Sequence, residues 1–215
     1  RSISKVYWNN MFGIDENKRD QDVKKILSDN NIEHETFDDQ VVYSPGTIKT
    51  KEDKPYSVFT PFKRRWIENF NIDFLDIEFN YTSKNDSGIT SNVDAFNFDF
   101  KKTHSVDMSL WSVGEESAIS ILKEYLDKKV LRYSKDRNDP IIDGTSRLSP
   151  YLASGIISSK RCILEALKKN KFELDSGESG IVKWLDEIIW REFYKNIMHS
   201  FPKVSKGLPF QDYTK

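Results

Sequence analysis

One cysteine, Cys162, in 215 residues excludes an intrachain disulfide framework. A lone thiol fits a reducing compartment, and its place after Arg161 in an amphipathic stretch reads as a buried packing residue. No apolar run approaches the roughly 18 residues that a bilayer requires, and the N-terminus lacks the basic-then-apolar order of a secretory signal. A cytoplasmic protein with no membrane partner is the expectation. Charge of neither sign prevails: 33 Lys and Arg against 34 Asp and Glu leave a formal net charge of -1. No global positive field therefore marks a nucleic-acid binder, and any DNA site must be a local patch. Internal repeats and low-complexity tracts are absent, and no metal site is expected. The chain opens on Arg1, reaches an apolar stretch at residues 6–8 almost at once, and stops at Lys215 soon after Pro209-Phe210. It is expected to be an internal piece of a longer protein.

What is present divides into two regimes. Residues 4–9 read as a strand, residues 18–28 carry Val23, Ile26 and Leu27 at helical spacing, and residues 33–42 hold room for a second strand. Thr60-Pro61 then predicts a helix start, with Thr60 as N-cap and Phe62, Trp66, Ile67 and Phe70 along one stripe. This αβ alternation predicts an α/β layer. From about 71 to 104 the composition shifts to Asn, Asp, Ser and Thr without a sustained period, as an interdomain connection does. After Trp111 the pattern is helical, beginning at Glu115-Glu116-Ser117 with Ile119, Ile121, Leu122, Tyr125 and Leu126. The expected architecture is an α/β N-terminal part at 1–72, a connection at 73–112 and an all-α part at 113–215.

Two segments carry chemistry. Gly144-Thr145-Ser146-Arg147-Leu148-Ser149-Pro150 joins a loop to a short helix, with Ser149 as the expected N-cap and Gly155 as the stop. Hydroxyls, free backbone N–H groups and a helix start converge there, which suits a phosphate. A plain Ser-Pro cap that binds nothing has the same sequence. Ser158 repeats the cap ahead of 160–169, as structure only. The second segment, 181–198, has one apolar stripe of Ile181, Trp184, Leu185, Ile188, Ile189 and Phe193. A second stripe sets Glu187, Trp190, Arg191 and Tyr194 at i, i+3, i+4 and i+7. Two readings fit. One is an ion pair from Glu187 to Arg191 beside packed aromatics. The other is a cup in which Trp190 stacks a flat ring, Glu187 hydrogen-bonds its polar edge and Arg191 supplies charge.

Gly-Thr-Ser-Arg-Leu-Ser-Pro-Tyr-Leu-Ala-Ser-Gly at 144–155 and Trp-Leu-Asp-Glu-Ile-Ile-Trp-Arg-Glu-Phe-Tyr at 184–194 together resemble the photolyase/cryptochrome family. Phe59-Thr60-Pro61-Phe62-Lys63, Phe201-Pro202 and Pro209-Phe210 extend the likeness, which is closest to bacterial class I enzymes acting on cyclobutane pyrimidine dimers. The resemblance implies a Rossmann-like antenna domain, represented by its C-terminal part, followed by the N-terminal portion of a helical FAD-binding domain. It implies FAD contacts at Tyr133, Thr145, Ser146, Arg147, Leu148, Ser149 and Trp184. Arg137 matches a DNA contact. Glu187, Trp190, Arg191 and Tyr194 fall in the segment that meets the lesion, with Glu187 bonding the dimer and Trp190 as the stacking wall. Asp15-Glu16 stands where bacterial members use Asn-Glu to hold a folate antenna (methenyltetrahydrofolate), with Asp replacing Asn. The implied activity is that of a deoxyribodipyrimidine photo-lyase: excited reduced FAD gives an electron to dimer-containing DNA, and the cyclobutane bonds break. A monomer is expected. A cryptochrome-type blue-light receptor, or a non-catalytic helical DNA- or protein-binding remnant, are the alternatives.

Overall fold

The computed structural model describes residues 3–75 and 111–210; the connection expected at 73–112 lies almost wholly outside them. Strands β1 (Lys5–Asn9) and β2 (Glu33–Phe37) pair in parallel, with Lys5 opposite Glu33 and Asn9 opposite Phe37. Helix α1 (Ile14–Asp29) makes the crossover that a parallel pair requires. It starts four residues before the expected stretch, and its apolar stripe is only loosely covered, Ile26 being 60% exposed. What α1 buries is Asp20, whose carboxylate is paired with Arg19 at 2.7 Å. Among the described residues the two strands contribute nothing to the buried apolar core.

That core is helical. Helix α2 (Phe59–Glu68) buries Phe62 and Trp66 completely, as the sequence stripe predicts. It begins one residue before Thr60, with Val58 in the cap position and no side-chain cap. Pro61 still sits in the first turn, where its missing N–H leaves no bond unmade. Helix α3 (Glu115–Lys128) buries Leu122 and Tyr125, and a 3₁₀ turn (Val130–Arg132) leads into α4 (Tyr133–Asp136). Helix α5 (Ser149–Ala153) ends before Gly155, whose φ of 74° is a conformation that glycine adopts freely. Its cap position is Leu148 rather than Ser149, and no side chain caps it. Helix α6 (Ser159–Lys169) does have the expected cap, Ser158 accepting from the Arg161 N–H at 3.1 Å. Cys162 is fully buried in α6, and burial pushes its thiol up to about 12.

Helix α7 (Ser179–Ser200) runs through the middle of this assembly and packs on α2, α4, α6 and the 3₁₀ turn. Its approach to the turn is so close that a Cβ on Gly180 would lie 2.1 Å from the Val130 carbonyl oxygen. α2, from the N-terminal stretch, and α3, α6 and α7, from the C-terminal one, share one continuous apolar core. None of the described helices is long and apolar enough to cross a membrane.

A buried carboxylate ties these parts together. Glu192, 2% exposed on α7, accepts from the Val42 N–H (2.8 Å), the Tyr43 N–H (3.0 Å) and Trp66 Nε1 (2.7 Å). The donors and nearby Arg191 favour its charged form, but burial outweighs them and pushes the carboxyl up to about 7. Between the ordinary carboxylate range and pH 7 the folded chain thus retains a proton that the unfolded chain releases. Glu192's contribution to stability is full below about pH 4.5 and falls as pH rises through 7, by on the order of 3 kcal/mol. Melting curves from pH 5 to 8 should show the wild-type protein losing stability relative to Glu192→Gln as pH rises. Parallel curves would mean that Glu192 does not titrate in that window.

Candidate functional site

The side chains of greatest chemical interest project from α7 toward α4 and α2. Glu187 does not pair with Arg191 at helical spacing. Its carboxylate bonds instead to the guanidinium of Arg137, fifty residues away at the end of α4, and Lys183 lies 3.7 Å from the same oxygen. Both side chains of the Arg137–Glu187 pair remain about three-tenths exposed. The bond to Glu187 is the main cause that raises the Arg137 pKa, with burial opposing it. Arg137 also lies over the ring of Tyr133, 5.4 Å from its centroid.

Trp190 stands one turn further along α7. Phe59, the first residue of α2, stacks on it with centroids 3.7 Å apart and planes 11° from parallel. Tyr194 lies 5.5 Å away at 27° and is 60% exposed. Arg191 departs from the expected cup. Its guanidinium donates to the Gln40 carbonyl, to Ser159 Oγ at 3.1 Å and to the Leu152 carbonyl at 3.0 Å. Burial lowers its pKa. Arg191 thus holds the loop around Gln40 against α5 and α6, and Arg137 is the guanidinium beside Glu187.

The residue 144–149 turn is arranged around a separate cavity of about 330 Å³ lined by Thr145, Ser146 and Arg147 together with Trp111, Lys129 and Asp143. Arg147 has a left-handed backbone (φ 54°), which turns the chain so that Leu148 enters the core at 1% exposure while 145–147 stay at the cavity. Asp143 pairs with Lys129 at 2.7 Å and with Arg147 at 3.1 Å, and these cations hold its carboxyl below the usual range. Ser149 lies outside the lining as the first residue of α5. Tyr125 also lines the cavity, and its buried hydroxyl has no hydrogen-bond partner, an arrangement that normally implies a missing donor or acceptor. Behind Tyr125, Trp184 packs at 5.3 Å and Tyr133 at 6.1 Å. Both are buried in an aromatic cluster rather than open to the cavity. The lining thus offers the hydroxyls of Thr145 and Ser146 and the cations Lys129 and Arg147, both paired with Asp143, with a second carboxylate at Glu124.

Asp15 is exposed and paired with Lys206, while Glu16 is half-buried in the first turn of α1. Sequence spacing did not reveal the partners that long-range packing supplies, Arg137 for Glu187 and Phe59 for Trp190. It also missed Glu192, whose one available signal was a charge falling on the apolar stripe at i+4 from Ile188.

Residues 1–79 match the family model described as DNA photolyase. Among solved structures, a bacterial class III photolyase from Agrobacterium tumefaciens shares the fold at a TM-score of 0.72 and 25% identity, covering 94% of this chain and 42% of that one. A Synechocystis cryptochrome shares the fold alone, at a TM-score of 0.66 and 15% identity, with 93% and 42% covered. Residues 1–79 are thus similar to the DNA photolyase family, and among the described residues the fold is mostly helical with a small two-stranded sheet.

Its curated relatives make the kinship more particular. It is 31% identical over 213 residues to the deoxyribodipyrimidine photo-lyase of Salmonella typhimurium, covering 99% of this chain and 44% of that protein. The enzyme of the same name from Escherichia coli is 30% identical with the same coverage, and that from Buchnera aphidicola (subsp. Acyrthosiphon pisum) is 34% identical over 209 residues. The chain therefore spans less than half the length of the curated relatives it matches.

Because the Arg137–Glu187 pair is partly open to solvent, its coupling should be modest, about 0.2–1 kcal/mol. A double-mutant cycle of Arg137→Met and Glu187→Gln on thermal stability measures it. Zero coupling would mean that the two side chains do not hold one another in solution.

Proposed function

We propose that the protein represented by this chain repairs cyclobutane pyrimidine dimers in DNA under blue light, as a photolyase that carries FAD. The observation that carries the reading is the Arg137–Glu187 pair one turn from Trp190, on a chain aligned over 99% of its length with proteins named deoxyribodipyrimidine photo-lyase. In this reading residues 1–72 are the C-terminal part of a Rossmann-like antenna domain, 73–112 the connection and 113–215 the first part of a FAD-binding domain. Asp15 and Glu16 would serve a folate antenna, with Lys206 already bonded to Asp15.

Each residue then has a physical task. Trp190 offers an indole face to an extruded base, an interaction of about 1–3 kcal/mol per base. Glu187, an acceptor in its ion pair, receives a ring N–H of the dimer. Arg137 brings a positive charge beside the same edge, where negative charge gathers on a pyrimidine carbonyl as an electron arrives. This is electrostatic stabilisation aimed at a developing charge, and it is worth more where water is excluded. Tyr194 and the neighbouring surface would meet the DNA strand. Thr145, Ser146, Arg147 and Lys129 would hold the phosphate side of FAD, and Tyr133 and Trp184 would support its wall. A reduced flavin, when bound, supplies the light-excited electron donor; the protein positions donor and acceptor.

The test is an absorption spectrum of the full-length gene product, followed by blue-light repair of a dimer-containing oligonucleotide. Flavin bands with light-dependent repair are expected, and Glu187→Ala should lower repair yield severalfold while changing DNA affinity little. Equal losses in both would remove Glu187 from the chemistry. Flavin without repair would favour a cryptochrome-type receptor, and a protein without flavin a non-catalytic binding module.

A further inference from the structure

Helix α2 is set in the core by Phe62 and Trp66, and Phe59, at its start, packs at the edge of that core. It is only half-buried, and it lies against Trp190. Two rings 3.7 Å apart and 11° from parallel are in full face contact, so Phe59 covers one side of the indole. Phe193, itself 4% exposed, meets Phe59 at 5.9 Å and Trp190 at 5.6 Å, with interplanar angles of 70° and 79°. Edge-on support from a buried ring beneath two stacked rings resists both sliding and tilting. The stack is also anchored from outside α7. Phe59 opens α2, and α2 is fixed by the bond from Trp66 Nε1 to Glu192 and by the ion pair of Lys63 with Asp186.

We infer that Phe59 is a positioning residue for the stacking wall: it covers one face of Trp190 and, with Tyr194 stacked at 5.5 Å and 27°, holds the indole plane against which a flat base would lie. This rests on the dimer-binding role proposed for Trp190. An indole without that backing would be held by Phe193 and Tyr194 alone and would have more rotational freedom, so a base would pay for its ordering on binding. A wall already held by Phe59 has less such entropy to lose. Undamaged duplex, in which no base is extruded, does not use the wall and is indifferent to it.

The experiment uses the full-length, flavin-loaded protein and compares Phe59→Leu, Phe59→Tyr and wild type. Binding to a dimer-containing duplex should weaken roughly tenfold in Phe59→Leu, a fraction of one base-stacking contact. Affinity for the undamaged duplex should change by less than about twofold, and Phe59→Tyr, which keeps the ring, should restore dimer binding. Tryptophan emission should shift to the red in Phe59→Leu, and the shift should vanish when Trp190 is also replaced by Phe. Melting temperatures are matched first, and Phe59→Met, closer in volume, carries the test where the Leu variant melts early. Unchanged discrimination in Phe59→Leu, or equal losses on damaged and undamaged DNA, would overturn the role of Phe59 and leave the repair reading standing. A wild-type protein that does not distinguish the two duplexes would overturn the repair reading and the positioning role with it.

Discussion

Glu192 is the point on which the arrangement of the site depends. A carboxylate in an apolar interior is costly unless its oxygens are met by donors. Here the donors come from two different places in the chain, the backbone at 42–43 and the indole of Trp66 in α2. Satisfying one buried group therefore fixes a loop and a helix against α7 at once. The loop is held again by neighbouring residues of α7. Arg191 bonds the Gln40 carbonyl, Lys195 donates to Gln40 Oε1 at 2.8 Å, and Asn196 accepts from the Gly46 N–H at 2.9 Å. Partial satisfaction would leave a buried polar group without compensation, so this network has little tolerance for rearrangement.

Helix α7 consequently has three kinds of surface. Ile181, Trp184, Leu185, Ile188, Ile189 and Phe193 enter the core; Arg191, Glu192, Lys195 and Asn196 grip the 40–46 loop; Glu187, Trp190 and Tyr194 face the region shared with Arg137 and Phe59. A helix that is engaged all round is held rigidly in its rotation, and that rigidity sets the direction in which Glu187 and Trp190 project.

The first of these surfaces was legible in the sequence, because apolar periodicity reports burial directly. Gly155 and Ser158 were legible for a similar reason, since a left-handed stop and a hydroxyl cap are local events. Thr60 and Ser149 were misplaced as caps, by two residues and by one; Ser-Pro and Thr-Pro mark a helix start without specifying which position bonds. The Glu187–Arg191 spacing suggested an ion pair, yet i,i+4 proximity is worth only a few tenths of a kcal/mol. Three oxygens from Gln40, Ser159 and Leu152 outcompete it for Arg191, and Arg137 takes its place at Glu187. Such exchanges are invisible to periodicity because the partners lie tens to more than a hundred residues apart.

Phe59 belongs with the site and not merely with α2. Its ring meets Trp190, but its position follows from Trp66 seven residues on, and Trp66 is positioned by Glu192. The path from the buried carboxylate to the indole face thus leaves α7, passes through α2 and returns to α7 two residues before it began. A wall braced in this closed loop cannot tilt without moving a helix whose Phe62 and Trp66 are wholly buried. Since close-packed interiors resist small displacements, the orientation of Trp190 is a property of the core as much as of its own rotamer.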